Sequence, residues 1–467
     1  MAWAILACAG LLGGLNNPIA GSQAAALKPF EAPKGFDARA DVYMSAWAKE
    51  KRFSGAVLMA VDGKPIFRHA YGFSDWSTHQ VMTPETPCLL FELSETITAG
   101  AIVLLQQRNL LKTTDKASLY LPNLPGAWQD VTIHQLLTHT SGIDPVTGDA
   151  WMKAQGDATE EAKANNAIAP RAVGDAFGRS SVSYYLLGRI IDKVGGKPYE
   201  RFLHDEIFKP LGMTTAGVGG FMDAQFVVAR GHTLSGTQFV PTDQRVDSLG
   251  AAGDLHASVD DLLKWSQALE TPGLFTAQSI ELIHSGYVQM GKSRLFCYGW
   301  QRDPARGFWE QTGGGPSFLS EIAKIPRQKL VVIVLRNLAP AMSYLPTEDL
   351  IRIVEGGAVS PPRFADFATL NACVGTYQNA KEPPVIVSTA NGDLTVTLPG
   401  GKTEIAKAMP DGTFKASDFS AAVTGTPPKN YVLKLHLKGS AKVLKRVDSA
   451  PTVSARPDRL RTANRKG

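Results

Sequence analysis

Cysteine is scarce in this chain, with four in 467 residues, at Cys8, Cys88, Cys297 and Cys373, and none in a C-x-x-C pair. That excludes a disulfide scaffold or a zinc framework and reads the later three as small buried residues. Charge is thin as well: 19% of residues are charged and the formal net charge is +5. No run of Lys and Arg occurs outside the mixed tail from Arg456 to Lys466, so nucleic acid is not expected as a partner. Gly313-Gly314-Gly315 lacks the Lys-Ser/Thr that completes a phosphate loop, and no dinucleotide fingerprint is present. The nine histidines show no ligand spacing, His134 and His139 being five apart, so neither a metal nor another cofactor is expected.

Long apolar runs are also missing, apart from the first residues. Met1 to Leu15 carry no charge and lead through small residues to Ala24-Ala25-Ala26. Residues 1–26 read as a secretory signal cleaved near Ala24, although no Lys or Arg precedes the apolar stretch. The stretch is short for a membrane span. Ile5-Leu6-Ala7-Cys8 resembles a lipoprotein processing site, which offers a membrane attachment through a lipidated Cys8. The expected location is exported, periplasmic or secreted.

What remains is ordinary globular content, 44% hydrophobic, enough for one large domain and a small one. Phe36 to Lys51 has helical spacing. Gly55–Val61 and Pro65–Ala70, joined by Asp62-Gly63, read as a hairpin. Glu95 to Asn109 is helical, with Ile97, Ala101, Leu104 and Leu105 on one face and Ser94 as its N-cap. Tyr184 to Val194 is helical, and Ser258 caps a helix that starts at Val259. Phe318–Ile325 and Lys329–Leu335 are late strands around a Pro326–Gln328 turn, followed by a helix over Leu350–Val354. The fold class is α+β, an antiparallel sheet flanked by helices. Pro361-Pro362 marks a boundary. Strands at Val385–Thr389, Leu394–Leu398 and Tyr431–Leu437, the first two joined at Asn391-Gly392, then predict a small all-β domain. The division is 30–358, 364–448 and a polar tail over 449–467.

Four segments carry a family resemblance. Phe91-Glu92-Leu93-Ser94-Glu95-Thr96-Ile97 resembles the S-x-x-K nucleophile motif, and Leu136-Leu137-Thr138-His139-Thr140-Ser141-Gly142 a Leu-Leu-x-His-Thr-Ser-Gly segment. Tyr185-Leu186-Leu187-Gly188 follows the position of a Y-x-N motif, and Gln311-Thr312-Gly313 stands where K-T-G or H-x-G belongs. With Gly250 to Leu255 as the later glycine loop, residues 36 to 355 are similar in order and spacing to the serine β-lactamases, penicillin-binding proteins and related esterases. The resemblance implies the β-lactamase/transpeptidase-like fold. Val374-Gly375-Thr376-Tyr377 is similar to the opening of the small β domain often appended to such proteins.

The resemblance also implies acyl-serine chemistry on an ester, an amide or a D-amino-acid peptide, with Ser94 as nucleophile. A hydroxyl is a weak nucleophile until a base takes its proton. The motif lysine, however, is Ile97, the motif tyrosine Arg179, its asparagine Ser181, and the third-motif Lys or His Gln311. Isoleucine cannot exchange a proton, and arginine stays protonated. Arg179, Ser181, Gln311, Thr312 and Gly313 are then expected to line a substrate-binding cleft. Ser317 is the expected strand donor of the oxyanion hole, since Pro316 has no N–H. His139 and His256 read as structural. Two functions remain open: an impaired serine hydrolase, or a catalytically inactive exported protein that binds a small molecule or peptide.

Overall fold

The computed structural model describes residues 30–154, 176–219, 228–235, 238–242, 250–315, 317–338 and 346–361, and beyond them 374–378, 383–390, 393–408, 414–415, 419–424, 432–437 and 440–446. The predicted signal segment, Cys8, Cys373, Pro316, Asn391-Gly392 and the tail from 449 lie outside these residues.

Helix α1 (Phe36–Lys49) buries Phe36, Ala40, Tyr43, Met44 and Trp47, the single face its spacing predicts. The hairpin follows as β1 (Gly55–Val61) and β2 (Lys64–Tyr71). Its turn holds Asp62 at φ 48° and Gly63 at φ 71°. Two left-handed residues in succession are what a tight hairpin turn demands, which is why Asp-Gly signals it.

Helix α2 (Ser94–Gln107) is the centre of the helical layer, buried at every residue from Ser94 to Leu105. The predicted stripe is inside, but so are the other faces, as in a core helix. Ser94 is not its N-cap. Helical backbone begins at Ser94 itself, after Leu93, and no side chain caps this end. The preceding residues Phe91–Leu93 form a tight helical turn that feeds straight into α2, so no extended capping residue is needed. Helix α3 (Ile133–Leu137) starts on a capping box between Thr132 and Gln135 and delivers the chain to His139. Helix α4 (Ser181–Gly195) packs on α2. Helix α5 (Val259–Ala268) has the cap its sequence announces, Ser258 Oγ accepting from Asp261 N–H at 3.3 Å.

The sheet is completed by β3 (Val288–Met290), β4 (Arg294–Phe296), β5 (Gln301–Asp303), β6 (Phe308–Gly314), β7 (Leu319–Ile325) and β8 (Leu330–Arg336). Eight strands run in the order β3-β4-β5-β6-β7-β8-β1-β2, antiparallel throughout. All seven residues of β8 are buried, which its nearly unbroken apolar sequence requires of a central strand covered on both faces. Helices α1 and α6 (Thr347–Val354) pack against β2 and β8, and α5 against β1 and β8. Tyr43 Oη donates to Asp349 Oδ2 at 2.7 Å, tying α1 to α6.

Beyond residue 374 the strands are β9 (Gly375–Gln378), β10 (Val385–Ala390), β11 (Asp393–Thr397), β12 (Thr403–Ala408), β13 (Phe414–Lys415), β14 (Phe419–Thr424), β15 (Val432–Leu437) and β16 (Ser440–Arg446). They close into an eight-stranded barrel, its seam pairing Tyr377 with Arg446. The three strands read from sequence are three of these eight. Closure leaves the barrel no edge.

Candidate active-site cleft

The cleft is built where β6 lies on the turn Phe91–Leu93. A side chain at Gly313 would place its Cβ 1.9 Å from Leu90 O and 2.8 Å from Glu92 N, and one at Gly315 2.1 Å from the Phe91 ring. Glycine at these positions is what allows the strand to lie so close. Phe91 takes φ 49°, a left-handed backbone that costs a non-glycine residue roughly 1–2 kcal/mol. Its ring is held against Phe318, centroids 6.1 Å apart. The strained residue directly precedes Glu92 and so sets where that side chain emerges.

Glu95 is the hub. Its carboxylate is 1% exposed and accepts from Arg179 Nη2 at 2.5 Å, Gln311 Nε2 at 3.1 Å and His139 Nε2 at 3.4 Å. Burial pushes the Glu95 carboxyl up, but the charges and hydrogen bonds of Arg179 and His139 outweigh it and hold it below the ordinary range. Burial likewise pulls the Arg179 guanidinium down, and the charges of Glu95 and Glu92 overcome that and raise it. Gln311 is fully buried. It also donates to Glu92 O at 2.9 Å and accepts from Gln301 Nε2 at 3.3 Å. His139, also fully buried, takes φ 55°, and its Nδ1 accepts from Ser180 N–H at 3.4 Å. The Nε2 edge of the ring therefore faces Glu95. Phe177, Tyr184 and Phe296 pack its ring.

Glu92 sits three residues before Glu95. Its Oε2 accepts from Gly314 N–H at 2.8 Å, so the strand-edge amide turned toward the Phe91–Leu93 segment is that of Gly314. Ser317 is buried, and its hydroxyl is shared with Thr242 Oγ1 at 2.7 Å. The presumed nucleophile needs a larger correction. Ser94 is 0% exposed, and its Oγ is buried with no hydrogen-bond partner among the described residues. Ile97, fully buried, belongs to the hydrophobic core.

Arg179 and Gln311, at the second-motif tyrosine and the third-motif Lys or His positions, both converge on Glu95. The residue that faces those motifs is therefore Glu95, one position after Ser94, with Thr98 one turn further along α2. Ser181 opens α4 half-buried, Thr312 is half-buried on β6, and Gly313 is covered by the turn. A signal for the true register was present in the sequence. An arginine in a motif that normally carries a tyrosine calls for a carboxylate, and Glu95 directly follows Ser94. His256 pairs its Nδ1 with Gly219 O at 2.8 Å, next to the short strand pairing with Cys88–Leu89. Cys88 and Cys297 are buried free thiols, pushed up to about 12 by burial.

Such a site can hold charge, but among the described residues no hydroxyl is hydrogen-bonded to Glu95 or Glu92 there. Its chemistry is that of a buried ion pair beside a half-buried carboxylate and a strand amide.

Known proteins place the chain. The beta-lactamase family model matches residues 36–354, more than half of the sequence. A putative penicillin-binding protein, PbpX, of Bacillus subtilis (strain 168) is 28% identical over 298 residues, covering 63% of this chain and 73% of the relative. A D-aminopeptidase of Brucella anthropi is 28% identical over 231 residues, 46% of this chain and 42% of that one. The octameric penicillin-binding protein homologue from Pyrococcus abyssi superposes with a TM-score of 0.61 at 22% identity, over 86% of this chain and 98% of that one. At that identity the likeness is one of fold. With the family model spanning the sheet, α2 and the whole cleft, the chain belongs to the beta-lactamase family, the serine hydrolase family of the penicillin-binding proteins.

Proposed function

We propose that this chain is a non-acylating member of its family, a protein that keeps the cleft as a binding site and has lost acyl-serine turnover. One observation carries the reading: the buried Glu95 carboxylate, held by Arg179, Gln311 and His139, fills the point on which the second- and third-motif positions converge, where acyl-serine chemistry needs a nucleophile and its base. Acylation requires a hydroxyl presented to the substrate and a base to receive its proton. Ser94 offers a sealed hydroxyl, and the one carboxylate next to it in sequence is fully engaged as an acceptor. Successive helix residues point about 100° apart, so the two do not share a face.

The competing reading, hydrolysis of an ester, amide or D-amino-acid peptide, draws support from what the matched D-aminopeptidase is named for. Intact-mass measurement after incubation with a fluorophosphonate and, separately, a penicillin decides between them, with Ser94→Ala as control. The expected result is no adduct on folded protein. An adduct on the parent that is absent from Ser94→Ala overturns the reading. Export by the first 26 residues belongs to the same proposal, as does a small-molecule or peptide ligand. N-terminal sequencing of protein recovered outside the cytoplasm checks the export.

A further inference from the structure

The amide that an acyl-transfer cleft would aim at a substrate oxygen already has an anion on it, and that anion belongs to the chain. Glu92 Oε2 lies 2.8 Å from Gly314 N, in an exposed bond. Gln311 Nε2 reaches both Glu92 O at 2.9 Å and Glu95 Oε2 at 3.1 Å, so Glu92, Glu95 and the Arg179 bonded to Glu95 lie around one glutamine, and the Glu92 charge acts on Arg179. We propose that Gly314 N–H and Arg179 form a pocket for a ligand carboxylate, closed in cis by the Glu92 side chain, which an incoming ligand displaces. The proposal rests on reading the cleft as a binding site and specifies the chemical class it takes.

The two glutamates are not equivalent. Glu95 is 1% exposed with three donors on it, and no solute reaches it. Glu92 is half-buried, its only hydrogen bond through the side chain among the described residues is the one to Gly314, and rotation about its own side-chain bonds withdraws the carboxylate without moving the backbone. Arg179 has donor capacity in hand. One nitrogen is committed to Glu95, Nε is buried without a partner among the described residues, and the side chain is 34% exposed. A guanidinium and a backbone N–H together supply donors for both oxygens of a carboxylate, and such charge-assisted bonds are about twice as strong as neutral ones. A neutral carbonyl is a poor competitor for the same place, because it faces a charged group tethered nearby at an effective concentration on the order of millimolar or above.

The test is an acetate titration of the full chain, followed by the backbone amide resonance of Gly314, in the parent, Glu92→Ala and the near-isosteric Glu92→Gln. Glu92→Ala is expected to bind acetate at least about tenfold more tightly than the parent, the tethered competitor having been removed, and the Gly314 resonance is expected to report it. Glu92→Gln keeps the shape and loses the charge, and should fall between the two. It carries the comparison if the alanine variant does not fold. Equal acetate affinity in parent and variants, or a Gly314 resonance that acetate never moves, overturns the pocket while leaving the non-acylating reading intact. A fluorophosphonate adduct would remove that reading instead, whatever acetate does.

Discussion

Placing a lysine at Ile97 restores the S-x-x-K pattern on paper, and the structure predicts that it will damage the protein. Ile97 is 0% exposed in the main core, so a lysine there must either stay neutral or carry an unpaired charge inside. Holding it neutral at pH 7 against an ordinary value near 10.4 costs about 4–5 kcal/mol, at about 1.4 kcal/mol per unit. The lysine stem recovers most of the apolar burial, leaving roughly 1 kcal/mol of packing loss. The sum, about 5 kcal/mol, is comparable with the whole stability of many domains. Urea denaturation followed by tryptophan fluorescence reads it directly, with Ile97→Met as a control that conserves volume. The methionine variant should stay within about 1.5 kcal/mol of the parent. If Ile97→Lys instead unfolds at the parent's midpoint and takes a fluorophosphonate, the placement of Glu95 opposite the two motifs is wrong and Ser94 is the nucleophile after all.

Other expectations follow from the charged groups and from β6. Glu95 has its carboxyl lowered in the folded protein, so its contribution is present above the ordinary glutamate value and is lost as pH falls through the lower folded one. Glu95→Gln should therefore flatten the loss of urea midpoint between pH 5 and 3, to about 1 kcal/mol less than in the parent; unchanged slopes would contradict the assignment. Glu321 behaves oppositely. Burial pushes its carboxyl up to about 8, beside Thr347 Oγ1 and β6, so the folded state binds a proton that the unfolded state releases. Stability should decline as pH rises from about 4.5 to about 8, by on the order of a few kcal/mol, and Glu321→Gln should remove that decline in pH-resolved denaturation curves. Gly313→Ala must move β6 off Leu90 O, 1.9 Å from the added Cβ, and should destabilise by roughly 3 kcal/mol or more. The Gly314 amide resonance should lose its Glu92 partner in the same variant, and a native-like spectrum would refute the close approach.

How far the sequence carried depended on whether local chemistry set the structure. The Asp62-Gly63 turn, the Ser258 cap and the apolar run of β8 were legible because each is fixed by its own residues. The barrel was half legible: alternating segments such as Leu433-Lys434-Leu435 mark strands, but ring closure depends on pairings between strands distant in sequence. The motif register failed for a physical reason. Serine is a good helix cap in isolation, and the start of α2 is decided instead by the Phe91–Leu93 turn beneath β6, which makes no use of the Ser94 hydroxyl. The nucleophile was placed on the one serine in the segment, whereas the informative residues were the two glutamates and the arginine whose charge they answer.

The Glu95–Arg179 pair has a consequence for how this sequence can change. Each charge makes the other tolerable, because removing one partner of a buried pair strands the second at a cost of about 3–5 kcal/mol, less where solvent reaches it. Exchanging Glu95 for lysine alone would set two cations against each other, and exchanging Arg179 for tyrosine alone would leave a carboxylate inside with only Gln311 and His139. Replacing the pair by a serine–lysine–tyrosine arrangement, one substitution at a time, therefore begins downhill in stability. The ion pair acts as a ratchet against single exchanges at either position.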